Sequence, residues 1–342
     1  MKRIILSVVC VIMATLQSMA DTRVAILLLH NGNGTTFEFT QLQDAVDAAE
    51  SGDTLLLSKG AFTLSNTLTI NKGVSIIGEG QGTEIKGSIN VSIPNVVVSQ
   101  DELGNPVTEM PSISATMFDA LKIRGNVTIS NNLSGFKMRK CWVTGEFTPS
   151  GVLYNALIDR CVINTFYPRA PKSINIMNCH IGLIRSSSDI TNNSEIVYVN
   201  CAIRNLLFHP SSGLAKATYI NCIISYTSSE ASLIKSSTFI NSLYTSAVQN
   251  IFSTDANYIN TIENCYVGGF TMSSNEGMQT LSVTKEQLEA AGFLGTDGTV
   301  VGVEGGLTPF SLTPSSIAVT ESQLKVDPEK KQLNVTLKVK AN

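Results

Sequence analysis

At 342 residues the chain is long enough for one elongated solenoid or two compact domains, so length alone leaves the architecture open. Apolar residues make up 43% and charged ones only 15%, a balance that suits short strands joined by polar turns and argues against helices with charged faces. A net charge of −3, more negative still without Lys2 and Arg3, excludes nucleic-acid binding through a bulk basic surface.

Lys2 and Arg3 precede an apolar run from Ile4 to Leu16, and Ser18-Met19-Ala20 supplies small residues for cleavage. Residues 1–20 therefore read as a signal peptide cut after Ala20, with a run too short for an ordinary membrane span. Cys10 lies in this leader behind Val9, the wrong neighbour for a lipoprotein site. No later run is apolar and long enough to cross a bilayer, so the expected product is secreted, periplasmic or held at the cell surface, without a transmembrane segment. After a strand-like AILLLH and a turn at Asn31 to Gly34, a helix is expected. Thr40 would cap it and Gln43 complete a capping box; Leu42, Ala45, Val46 and Ala49 share one face, and Gly52 ends it. Its expected use is to cover the open end of a strand stack. TLLL, a turn at Gly60 and LTINKGVSIIGEG then read as short strands broken by glycines. Gly78-Glu79-Gly80-Gln81-Gly82 reads as a turn, since no GK[ST] follows to make it a phosphate loop.

From Met138 a repeat takes over: MRKCWV, IDRCVI, IMNCHI, YVNCAI, YINCII, FINSLY and IENCYV. Anchored on Cys141, Cys161, Cys179, Cys201, Cys222, Ser242 and Cys265, its steps are 20, 18, 22, 21, 20 and 23 residues. Such a wandering period marks stacked units with loops of variable length. Apolar residues lie three before and two after each anchor, so one residue between them must bend the chain for both to point inward. That residue is Asn178, Asn200, Asn221, Asn241 and Asn264, and asparagine tolerates the left-handed backbone region while its amide can hydrogen-bond along a stack. The unit is too short for a propeller blade and lacks the leucine-rich pattern. An all-β parallel β-helix remains, with coils about 4.8 Å apart.

The stretch FTQLQDAVDAAESGDTLLLSKGAFTLSNTLTINKGVSIIGEGQGTEI, with its helix, SGDT strand and I-x-I-x-G-x-G-like coil, resembles the entry of right-handed parallel β-helix proteins of the pectin-methylesterase and pectate-lyase type. The resemblance is close from Phe37 to Ile85 and holds in pattern to Val267. It implies the fold, and a secreted bacterial member of that superfamily without a recognisable catalytic motif. The turn is Gly60-Ala61-Phe62-Thr63-Leu64, without the family's glutamate, and the catalytic aspartates of the esterases and the acid clusters of the calcium-dependent lyases have no counterpart.

Candidate chemistry therefore rests on departures from the repeat. Arg139-Lys140 and Asp159-Arg160 put charges before and at the first two corners, and register would stack Arg139 on Asp159 as an ion pair. One position past the anchor, also expected to face outward, runs Trp142, Val162, His180, Ala202, Ile223, Leu243 and Tyr266. An outward Trp142, with His180, beside Arg139, Lys140, Asp159 and Arg160 reads either as a glycan-binding patch, as a lyase-like site, or as an ordinary ion pair with the indole covered by a loop. Cys141, Cys161, Cys179, Cys201, Cys222 and Cys265 read as buried fillers or as disulfides between coils. No metal site and no cofactor are expected, because CxxC is absent and His30, His180 and His209 are dispersed.

Past Val267 the repeat lapses. Thr284 and Gln287 form a capping box for KEQLEAAGF with Gly292 at its end, and GTDGTVVGVEGGLTPF follows as a closing segment. SQLKVD and QLNVTLKVK flank Pro328-Glu329-Lys330-Lys331 as a hairpin with Leu333, Val335, Leu337 and Val339 on one face, either an end cap or an attachment element. The expected organisation is a signal peptide at 1–20, the capped β-helix at 21–280, the helix and closing segment at 281–315, and the hairpin at 316–342. The expected function is a non-catalytic surface or exported protein whose solenoid binds a polysaccharide or a cell-surface partner. The alternatives are a polysaccharide lyase or glycoside hydrolase acting on an acidic glycan, and a trimeric fibre.

Overall fold

The computed structural model describes residues 26–30, 33–37, 41–100, 106–109, 111, 117–169, 172–185, 195–207, 217–226, 234–256, 259–313, 317–327 and 332–341. The leader and Thr40 lie outside them, as does the turn at 328–331. The chain divides into two units, Met1–Leu312 and Thr313–Asn342.

The first unit is an all-β solenoid. Among the described residues two large sheets of twelve and thirteen strands carry it, and successive coils pair in parallel within each. The first sheet opens with Asn33–Phe37 and Ile26–His30, paired antiparallel to each other and the latter also to the first coil, and runs on from Thr54–Leu57 through Lys137–Arg139, Ala156–Asp159 and Ser173–Met177 to Thr261–Glu263. The second runs from Gly60–Thr63 through Trp142–Pro149, Val162–Phe166 and His180–Arg185 to Tyr266–Val267. Register is strict across the cysteine coils: Ile158 lies on Ile176, Ile176 on Tyr198, and Tyr198 on Tyr219.

The corner expected between the sheets is present at every asparagine. Asn178, Asn200, Asn221, Asn241 and Asn264 have φ between 46° and 54°, and Lys140 and Arg160 adopt the same turn at 50° and 51°. A left-handed residue with a Cβ costs roughly 1–2 kcal/mol, which asparagine lessens and Lys140 and Arg160 do not. The series also starts one coil earlier than the cysteines suggest. Phe118, Ala120 with φ 54°, Leu121 and Ile123 fill the same slots, hidden from the sequence pattern by a leucine anchor and an alanine corner.

Inside the coils the anchor cysteines Cys141, Cys161, Cys179, Cys201 and Cys222 are fully buried, Cys265 on the last coil is half-buried, and the aromatic residues before the anchors form a stack. Tyr198 lies 4.9 Å from Tyr219 and Tyr219 4.7 Å from Phe239, with rings within 11° of parallel. Each such pair contributes about 0.5–1.5 kcal/mol beyond its buried area. The anchors do more than fill space. The Cys141 and Cys161 amides donate to the thiols of Cys161 and Cys179 at 3.5 and 3.2 Å, and the Cys222 amide donates to Ser242 Oγ at 3.1 Å. The same contact joins Cys179 to Cys201, Cys201 to Cys222 and Ser242 to Cys265. Each thiol or hydroxyl in turn donates to a carbonyl two residues back, so the slot is a continuous strap of hydrogen bonds. Burial pushes the thiols of Cys141, Cys161, Cys179 and Cys222 well up, which keeps them protonated and able to donate.

The N-terminal helix spans Leu42–Ala48, and Leu42, Ala45, Val46 and Ala49 are buried in the main core as expected. Its N-cap is Gln41 without a side-chain cap. Gln43 does not close a capping box: its amide exchanges two hydrogen bonds with the Thr69 backbone, at 2.9 and 3.1 Å, docking the helix on the strand Leu68–Ile70. The Gly78 to Gly82 stretch is a corner containing a single 3-10 turn at Gly80–Gly82.

The segment after Val267 departs from the expected end closure. A tight hairpin of Met272–Asn275 and Met278–Leu281 turns through Glu276 at φ 47° and Gly277 at φ 94°. The helix Lys285–Ala290 follows with its capping box intact: the Gln287 amide donates to Thr284 Oγ1, and Gln287 Oε1 accepts from the Thr284 amide. This return segment packs on the outside of the second sheet. Phe270, Met272, Leu288, Val300, Val301 and Val303 form a second apolar cluster with Ala202, Ile223 and Leu243. The last coil itself stays open within this unit, with Ile262 45% and Val267 49% exposed.

The second unit is an antiparallel hairpin, Ile317–Asp327 paired with Gln332–Ala341, with a register shift between Val319 and Glu321. Its first strand is longer than the sequence pattern suggests, reaching back to Ile317.

Candidate functional site

The two charged corners are built by the same local rule as the asparagine corners, so their side chains leave the solenoid at one edge of the first sheet. Register places Asp119 on Arg139 and Arg139 on Asp159. The pairing differs from the expected Arg139–Asp159 bridge. Arg139 Nη2 donates to Asp119 Oδ2 at 3.1 Å, while Arg160 holds Asp159 Oδ2 through Nε at 2.8 Å and Nη2 at 2.5 Å. The physical reason is reach: the Arg160 guanidinium spans Asp159 within its own coil, leaving Arg139 to the coil below. Burial raises the Asp119 carboxyl above its ordinary range against the pull of Arg139, Lys140 and Arg160. Lys140 is buried at the corner, and burial, with Arg160 beside it, lowers its ammonium.

The other two candidates lie on the second sheet and are not brought to this cluster. Trp142 Nε1 donates to the Glu276 carbonyl at 2.8 Å, and Lys122 Nζ sits 4.4 Å from the ring centroid. Glu276 pairs with Lys122 at 3.4 Å and Arg124 at 3.8 Å, and Arg124 also pairs with Glu84. His180 is 5% exposed rather than outward: Nδ1 accepts the Gln279 amide at 3.2 Å, and Phe310 packs edge-on at 4.4 Å. Burial lowers its imidazole to about 4, leaving it neutral at pH 7. The return segment also engages the ladder. The Asn221 amide exchanges hydrogen bonds with Thr296 at 2.9 and 3.2 Å instead of bonding along the stack, while Oδ1 of Asn178, Asn200 and Asn241 is buried with no partner among the described residues.

A third group was missed from the sequence. Tyr167 and Arg185 each follow a registered pair, Phe166 on Ile184, and so are neighbours on successive coils at one edge of the second sheet. The Arg185 guanidinium lies 5.0 Å and that of Arg169 5.1 Å from the Tyr167 ring centroid. Glu146 accepts from Arg185 Nη1 at 3.1 Å and fixes its direction. The arrangement sets two cations over one aromatic ring, and Arg169 makes no ion pair among the described residues. Register arithmetic over the strand Val162–Phe166 was the signal that could have found it. Among the described residues no cluster of three or more His, Cys, Asp or Glu is placed to hold a metal ion.

No family model matches the chain, and no curated protein does. Among solved structures, a pectin methylesterase mutant crystallised with a hexasaccharide is similar over 80% of this chain and 87% of that one, at 10% identity and a TM-score of 0.22. The parallel β-helix architecture stands on the registered strands of this chain.

Proposed function

We propose that the chain is an exported, non-catalytic β-helix protein that binds an acidic polysaccharide at the edge formed by Tyr167, Arg169 and Arg185. The observation that carries this reading is the tyrosine ring flanked by two guanidinium groups at 5.0 and 5.1 Å. A guanidinium fork grips a uronic carboxylate bidentately, and the Tyr167 ring holds two such forks in one place. Support for a binding rather than a catalytic role comes from the charged corner, where Asp119 and Asp159 are each held by an arginine. Isothermal titration against neutral and uronic-acid polymers is the test. Tyr167→Ala and Arg185→Ala are expected to weaken binding of the acidic polymer at least tenfold, with Trp142→Phe close to wild type. Unchanged affinity in both Tyr167→Ala and Arg185→Ala overturns the assignment.

One observation favours a second reading. Lys140, lowered by burial and by Arg160, has the character of a base beside a cation. In a lyase such a pair removes the sugar C5 proton while the arginine neutralises the carboxylate; the electrons form the C4–C5 double bond and the glycosidic oxygen leaves C4 with a proton. Ultraviolet absorbance of unsaturated product from a uronic-acid polymer, lost in Lys140→Met, would establish this reading in place of the first.

A further inference from the structure

The first sheet has an outer face that nothing in the core accounts for. Two residues before the anchor, the outward column reads Arg139, Asp159, Met177, Val199, Ile220, Ile240 and Glu263, each in register with the next. Beside it the neighbouring column reads Lys137, Leu157, Asn175, Val197, Thr218, Thr238 and Thr261, so it adds Leu157 and Val197 to the strip between polar rungs. Met177, Val199, Ile220, Ile240, Leu157 and Val197 are half-buried and belong to neither apolar cluster. The matching column of the second sheet is covered by the return segment, so the first sheet keeps a flat aliphatic strip where the second has none to spare.

Charge fixes what fits the strip. Its lower end is basic, with Arg139, Lys140 and Arg160 outnumbering Asp119 and Asp159, and its upper end carries Glu263, which makes no ion pair among the described residues. Placed face to face with the solenoid axes opposed, two copies put Arg139 over Glu263 of the second copy, Asp159, its charge already met by Arg160, over Ile240, Met177 over Ile220, and Val199 over itself. A two-fold axis along the Val199 strand generates all of these at once, as an isologous interface requires. With axes in the same direction, the basic ends would meet instead. No aromatic residue lies in this strip to make it a sugar platform.

We infer that this face associates with a second copy of the chain as an antiparallel two-fold dimer. Seven rungs about 4.8 Å apart make the strip roughly 30 Å long, and strands of three to five residues make it about 13 Å wide. That is roughly 800 Å² buried in total, below the range of stable specific interfaces and within that of transient contacts, so the dimer is weak and depends on concentration. Sedimentation velocity of the full chain from low micromolar to submillimolar concentration tests it. The expected result is a monomer–dimer equilibrium weakened at least tenfold by Val199→Asp and by Glu263→Arg, each with wild-type circular dichroism. Combining Glu263→Arg with Arg139→Glu is expected to restore it, because the reversed charges again oppose. A monomer at every concentration, a trimer, or a dimer indifferent to Val199→Asp overturns the inference. So does a monomer that dimerises only after removal of residues 313–342, since the face would then be occupied within one chain.

Discussion

The two sheets are made by the same coils, yet their outer faces meet different fates. On the first, aliphatic residues two before the anchor stay half-exposed; on the second, aliphatic residues one after the anchor are sealed beneath the return segment. Ile220 and Ile223 make the comparison within a single coil, three residues apart, with Ile223 only 2% exposed and packed in the second cluster. An outward apolar residue in a solenoid therefore has no fixed meaning. Its environment is decided by whether a later part of the chain returns to cover it.

The largest expected effect follows from that pair. Ile223→Ala is expected to cost about 2–4 kcal/mol, a transfer loss plus a cavity under the return segment. Ile220→Ala, with no cavity to leave, is expected to cost under about 1 kcal/mol. Urea unfolding of the two variants reads the difference directly, and equal losses would mean that the return segment does not pack on the second sheet as described.

A pH difference sharpens the same contrast, because His180 is the titratable group on the covered face that the return segment engages. Its neutral Nδ1 accepts the Gln279 amide, which an imidazolium cannot do. With the folded value at about 4 and the unfolded one near 6.5, the unfolded chain takes up the proton first. The contribution is therefore complete above pH 6.5, falls as pH drops, and is exhausted below about 4. Over that window it amounts to about 3 kcal/mol. Unfolding free energies at pH 7 and pH 4 should differ by that much more in wild type than in His180→Gln. The same pH slope in both proteins would contradict the buried, accepting imidazole.

What was legible in the sequence was whatever the coil repeats. The corner at Asn178, Asn200, Asn221, Asn241 and Asn264, the apolar flanks and the anchor slot all follow from the spacing, because one backbone turn imposes them on every coil. The coil of Phe118 and Ile123 escaped notice because Ala120 and Leu121 satisfy the same geometry with other side chains. Contacts made across long separations were not legible. Trp142 meets a carbonyl 134 residues later and His180 an amide 99 residues later, so the exposure their outward position in the repeat implied is reduced for Trp142 and removed for His180. The charged corner was half legible: the repeat spacing put Arg139 on Asp159, but Asp119 lies in the coil that escaped notice, and Arg160, whose two nitrogens already hold Asp159, leaves Arg139 to it.

The anchor slot gives the smallest expected effect and the finest distinction. Were the cysteines only fillers, alanine and serine would each replace Cys161 at a cost set by lost volume, with the polar serine the worse. The strap of hydrogen bonds reverses that order. Cys161 Sγ accepts the Cys141 amide and lies 3.3 Å from the Asp159 carbonyl, and Ser242 makes the equivalent contacts with Oγ in its own coil. Cys161→Ala leaves a buried amide without an acceptor, a loss of about 1–3 kcal/mol, whereas Cys161→Ser keeps a donor and an acceptor in place. Cys161→Ser is thus expected to be the more stable of the two by about 1 kcal/mol. Thermal unfolding under reducing conditions, with alanine as stable as serine, would return the thiols to the role of packing alone.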